Sequence, residues 1–177
     1  MITASTTQTF TAAEIKFVRN WAVTKDAYKD KCGVANGNHQ KASEKNSETS
    51  AMGLFGELAV CKLLGGMPDL DIYPGGGSQH DLNWMNLTWQ IKTSVEPKLI
   101  FNDLNHFASY GAILVHLLTA KKDIFIDPIF EVWGGISKTR FVKRHYLDDF
   151  GYGCRVVCDY TDVTPLEDIE RILTNEF

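Results

Sequence analysis

Sixteen residues, Gln79–Ser94 (Gln-His-Asp-Leu-Asn-Trp-Met-Asn-Leu-Thr-Trp-Gln-Ile-Lys-Thr-Ser), alternate apolar and polar side chains on both sides of a break at Met85-Asn86. That alternation is the pattern of a half-buried β-hairpin. With the turn centred on Met85-Asn86, as a two- or four-residue loop, Trp84 faces Leu87, Asn83 faces Thr88, Leu82 faces Trp89 and Asp81 faces Gln90. Opposed residues of an antiparallel pair project to the same side of the sheet. One side therefore carries Leu82, Trp84, Leu87, Trp89 and Ile91, a core face; the other carries Asp81, Asn83, Thr88, Gln90 and Lys92. Met-Asn is not the favoured chemistry of a two-residue turn, which leaves both loop lengths open at an unchanged register.

The polar side groups a carboxylate, an amide and an ammonium. Asp81 offers a hard anionic oxygen and Gln90 a neutral carbonyl oxygen. Magnesium takes such oxygens, keeps several waters and completes its shell with substrate phosphate. Lys92, two residues beyond Gln90 on the same face, is placed to orient or deprotonate a water and to neutralise charge on phosphorus. The competing explanation is a solvated hairpin face on which Asp81 and Lys92 form a weak ion pair.

Asp81 followed, after eight residues, by Gln90-Ile91-Lys92 resembles the bipartite signature of the PD-(D/E)XK nuclease superfamily, in the variant with Gln at the second acidic position. No proline precedes Asp81. The superfamily also carries a Glu on a preceding helix, and Gly56-Glu57-Leu58-Ala59-Val60 matches that position. The similarity spans about Thr49 to Ser94, and the later Trp133-Gly134-Gly135-Ile136-Ser137 looks like a segment of phage-type members. The resemblance implies that Asp81, Gln90 and the backbone carbonyl of Ile91 bind Mg²⁺, with Mn²⁺ as substitute. It further implies that Glu57 supports that ion or a second one, and that Lys92 serves the attacking water.

The chain has 177 residues, of which 44% are hydrophobic and 23% charged, enough for one substantial core. Its formal net charge of −4 runs against nucleic-acid binding, although local basic patches still dock phosphate. The four cysteines (Cys32, Cys61, Cys154, Cys158) form no C-x-x-C pair or zinc spacing. Cys154 and Cys158 share one side of an expected strand as small core residues. No apolar run reaches membrane-spanning length and no basic-then-apolar leader opens the chain. The expected location is the cytoplasm, that of the host for a phage protein.

In chain order, residues 1–10 read as a loose tail ahead of a single domain over 11–177. Thr11 with Glu14 forms a capping box for a helix to about Asp30, with Lys16, Arg19, Lys25 and Lys29 on its wet side. Residues 32–47, holding His39 and Lys41, read as a loop. A second helix runs from Ser47 or Thr49 to about Leu64, where Gly65-Gly66 stops it; Gly53 and Gly56 flank Glu57 and allow close approach to the sheet. A short strand is expected at Leu70–Tyr73, then a Gly-rich loop at Pro74–Ser78. A short helix over Asn102–Tyr110, a central strand over Ala112–Leu118 and a strand over Ile124–Trp133 follow. Ser137 caps a basic helix with Lys138, Arg140, Lys143 and Arg144, suited to phosphate contact or, equally, to solvation. A strand over Arg155–Tyr160 and a helix begun at Thr164-Pro165 close the chain.

The expectation is an α/β domain, a mixed central sheet flanked by helices, restriction-endonuclease-like. Its expected role is metal-dependent hydrolysis of nucleic acid, DNA rather than RNA, with no membrane partner and a homodimer suited to double-strand cutting. The alternatives are a catalytically inactive nucleic-acid-binding or assembly module on that scaffold, and a metal-independent protein-interaction domain.

Overall fold

The structure, a computed structural model, describes residues 5–32, 43–72, 80–151 and 153–175. The Gly-rich run Pro74–Ser78, His39 and Lys41 lie outside the described residues.

Helix α1 (Ala12–Lys31) starts at the expected capping box: Thr11 Oγ1 accepts from Glu14 N, and the Glu14 carboxylate accepts from Thr11 N at 2.7 Å. Helix α2 (Ser43–Leu64) begins earlier than its sequence signals imply and ends where Gly65 and Gly66 take positive φ, a conformation glycine adopts without Cβ strain. Strands β2 (Leu82–Trp84) and β3 (Leu87–Ser94) pair as Leu82↔Trp89, Asn83↔Thr88 and Trp84↔Leu87. The connection is the two-residue one, with Met85 at φ 54° and Asn86 at φ 61°, the left-handed pair that a type I′ turn requires.

Strand β3 runs parallel to β5 (Gly111–Leu117), which pairs antiparallel with β6 (Ile129–Ser137). Within the tail expected at residues 1–10, Thr6–Thr9 instead form β1, which adds antiparallel to β6. Four polar residues there carry no apolar signal, and backbone pairing to an otherwise open edge orders them. The five-stranded order is β1-β6-β5-β3-β2; β4 (Lys98–Phe101), β8 (Cys154–Asp159) and β7 (Tyr146–Asp149) form a second sheet in the order β4-β8-β7.

Alternate residues of β5 feed two cores. Ile113 and Val115 join Val18, Ala22, Leu54, Phe55, Trp89 and Ile91 beneath α1, α2 and α4 (Leu166–Asn175). Ala112 and Leu114 join Leu99, Phe101, Phe107, Ile136 and Phe141 beneath the small sheet and α3 (Lys138–Arg144). The molecule is thus one mixed α/β domain with a covered central strand, as its continuous apolar run implies.

Other differences are local. Leu70–Ile72 is irregular, and the 102–110 segment holds one 3₁₀ turn at Leu104–His106. The strand expected over Ile124–Trp133 begins only at Ile129, after Pro128, which has no amide hydrogen to pair in a strand. Of the two cysteines expected on one buried side, Cys158 is buried and Cys154 exposed. Among the described residues no helix is long and apolar enough to cross a membrane.

Candidate active site

Strand β2 is the outer edge of the large sheet and covers only the first part of β3. The Asp81 amide donates to Trp89 O at 2.9 Å, and its carboxylate accepts from the Ile91 amide at 2.7 Å. Because N–H and C=O of one strand residue point to the same side, the Ile91 carbonyl faces this edge too. Asp81 therefore ends the hairpin and begins an open stretch of β3. Burial raises its pKa above the usual carboxylate value, against the lowering effects of the Ile91 hydrogen bond and the Lys92 charge.

Gln90 and Lys92 are in register with Ala112 and Leu114, so they project toward the second core. Gln90 is 6% exposed; its amide nitrogen donates to His106 O at 3.1 Å, while its buried Oε1 has no partner. The Lys92 ammonium stands 5.2 Å from the Phe101 ring centroid, a cation on an aromatic face.

Glu57 arrives from the opposite face. Helix α2 packs on the first core, and Gly56 brings it close: a Cβ there would collide with the Thr93 side chain. Gly53 meets nothing within 4 Å, so the close approach depends on Gly56 alone. Burial, then the negative charge of Asp81, push the Glu57 carboxyl up to about 8. It accepts a hydrogen bond from the Asp69 backbone, and its Oε2 is buried without a partner.

Sequence reasoning missed two further residues. Asp69 acts electrostatically on both Glu57 and Asp81 and, with His80, Asp81 and Asn83, lines a cleft of about 480 Å³. Nothing in its local sequence marks it, since the chain enters the site there as an irregular segment. Lys25, expected on the wet side of α1, is instead half-buried with its Nζ 4.3 Å from the Trp21 ring centroid. The signal was present: Lys25 is four residues after Trp21 and so shares its apolar face. Burial and neighbouring Lys29 lower the Lys25 pKa, opposed by Glu57, Asp26 and Asp81.

Asp81 thus interacts electrostatically with Glu57 and with Lys92, while Gln90 holds a hydrogen bond to the His106 segment. Among the described residues no three His, Cys, Asp or Glu side chains converge as a ready metal cage. Magnesium needs only one or two carboxylates beside waters and phosphate, and the orphan Oε2 of Glu57 and Oε1 of Gln90 are oxygens with unspent acceptor capacity. The donor set fits such an ion.

The basic helix forms, capped by Ser137 Oγ on Arg140 N and anchored by buried Phe141. Arg140 donates to Thr164 Oγ1 at 2.9 Å and Arg144 stands 3.9 Å from Asp162; Lys138 and Lys143 are exposed. No protein-family model, curated protein or solved structure matches the chain.

Proposed function

We propose that this protein is a Mg²⁺-dependent nuclease, able to use Mn²⁺, with a restriction-endonuclease-like architecture, acting on phosphodiester bonds of DNA rather than RNA. The observation that carries the reading is Asp81 at the open end of the hairpin, its carboxylate fixed by the Ile91 amide and lining the cleft together with Asp69. The resemblance of Asp81, Gln90-Ile91-Lys92 and helical Glu57 to the PD-(D/E)XK signature supports it. So does the register of the hairpin, which sets Asp81 opposite the start of that tripeptide.

In this reading Asp81, the Ile91 carbonyl and the Gln90 amide oxygen would hold the ion, with Glu57, from the opposite face, supporting it or a second one; the ion would supply Lewis-acid polarisation of phosphate and a more acidic water. Asp81 is fixed by the Ile91 amide before substrate arrives, so little reorganisation is needed. Lys92 orients the attacking water and neutralises charge developing on phosphorus. Lys138, Arg140, Lys143 and Arg144 contact backbone phosphates away from the scissile bond. A homodimer in the cytoplasm, of phage type, is the accompanying proposal.

A second reading, a catalytically inactive module that binds nucleic acid, is favoured by the Gln90 amide being engaged with His106. Incubating supercoiled, linear, single-stranded and branched DNA with Mn²⁺, beside Lys92→Ala, separates the two. Cleavage by wild type alone supports the nuclease. Binding without cleavage supports the module, and neither activity ends both.

A further inference from the structure

Helix α1 turns a cation toward the sheet edge that a solvated helix would leave in water. Asp26 accepts from Ser50 Oγ at 2.8 Å, and Ser50 lies two helical turns before Glu57, on the same face of α2. The residue beside Asp26 is Lys25. The Trp21 indole N–H donates to Leu70 O at 3.0 Å, tying the segment that carries Asp69 to α1, and the Lys25 ammonium rests over that same ring. Among the described residues no carboxylate closes to ion-pair distance on it. Leu70 follows Asp69, whose backbone bonds the Glu57 carboxylate and whose side chain lines the cleft with Asp81, so the ring that carries the Lys25 ammonium borders the site from the helix side. The Lys25 charge acts on Glu57 and Asp81, as that of Lys92 acts on Asp81.

Resting on the nuclease reading, we propose that Lys25 is a substrate-contacting residue, the second phosphate-binding cation of the site, held by Trp21 and paired across the edge with Lys92. The two lysines have different tasks. Lys92 stands on the Gln90 face, where water is activated, and Lys25 comes from the helix side, where it holds the strand. Removing Lys25 therefore weakens binding more than turnover.

The test uses a fluorescein-labelled DNA duplex and fluorescence anisotropy in Ca²⁺ across a KCl series, with turnover measured separately in Mn²⁺. Wild type, Lys25→Met, Lys25→Gln, Lys25→Arg and Lys16→Met (an exposed lysine of the same helix) are compared. Loss of one phosphate contact lowers the salt slope by about 0.9 and raises Kd roughly tenfold in Lys25→Met and Lys25→Gln. KM rises with kcat little changed, Lys25→Arg restores most affinity, and Lys16→Met matches wild type. Wild-type affinity and slope in both neutral variants would overturn the assignment. So would a fall in kcat at constant KM, or a binding loss that Lys25→Arg fails to rescue. If wild type itself neither binds nor cuts, the nuclease reading and this inference fall together; if wild type cuts and the neutral variants match it, only this inference falls.

Discussion

Glu57 keeps its proton to higher pH in the folded protein than in the unfolded chain, because burial and Asp81 both oppose its charge. Between the ordinary carboxylate value and about 8 the folded state binds more protons than the unfolded one, so stability falls as pH rises through that window. Above it the loss levels off. Melting temperatures of metal-free protein should drop from about pH 5 to about pH 9, and Glu57→Gln should flatten most of that slope. The raised Asp81 carboxyl leaves a residue of the same sign. A slope unchanged by Glu57→Gln would mean the carboxyl is solvated. Lys92 has a kinetic signature instead: Lys92→Ala should lose roughly 10²-fold or more in cleavage rate. Its melting temperature should stay near wild type, since among the described residues the ammonium forms no ion pair and rests on the Phe101 ring. Full activity, or an unfolded protein, would remove Lys92 from the water-handling role.

At the scale of elements, α2 is set against β3 by the absence of one side chain. Gly56→Leu must displace Thr93 or the helix, and overpacking of this kind costs about 1–3 kcal/mol. Gly53→Ala, facing open space, should be tolerated or mildly stabilising through helix propensity. Chemical denaturation of the pair measures the difference. Neutralising Arg140, Lys143 and Arg144 together should weaken DNA binding and flatten its salt dependence. Because Arg140 and Arg144 already meet Thr164 and Asp162, much of that change should trace to Lys143, and an unchanged slope returns α3 to a solvated helix. These elements differ in how far the sequence announces them. The hairpin was readable because Trp84, Leu87 and Trp89 must share a face, which fixes register whatever the turn. Thr11 and Glu14 announce the start of α1 in the same local way. Asp69 gave no signal and the strand expected from Leu70 did not form, since an irregular segment is placed by tertiary contacts such as the Trp21 hydrogen bond. The roles of Gln90 and Glu57 on opposite faces were also hidden, because a linear motif carries order but not the side from which each residue arrives.

For the whole molecule, one sheet divides two cores, and β5 contributes to both with Ala112–Val115 fully buried. Hydrogen exchange should be slowest there and fastest at the outer edges β1 and β2. Deleting residues 1–9 would expose the β6 edge with its Ile129–Val132 pairing groups. Light scattering should then show self-association, since an open edge templates pairing with another chain. A deletion variant that stays monomeric and as stable as the parent would make β1 an ornament of the sheet.

Strand β1 also has a temporal consequence. Ser5 Oγ donates to Glu131, 126 residues later in the chain, and Thr6 aligns with Val132. At about 5–20 residues per second, the ribosome needs on the order of ten seconds to deliver the partner of a segment it has already released. During that interval the first strand has nowhere to dock, while α1 and α2, adjacent in the chain, can already meet. The edge closed by β1 therefore waits for β6, the last strand of the large sheet to be made. A cell slow to finish this chain holds an intermediate whose missing partner is its own unfinished middle.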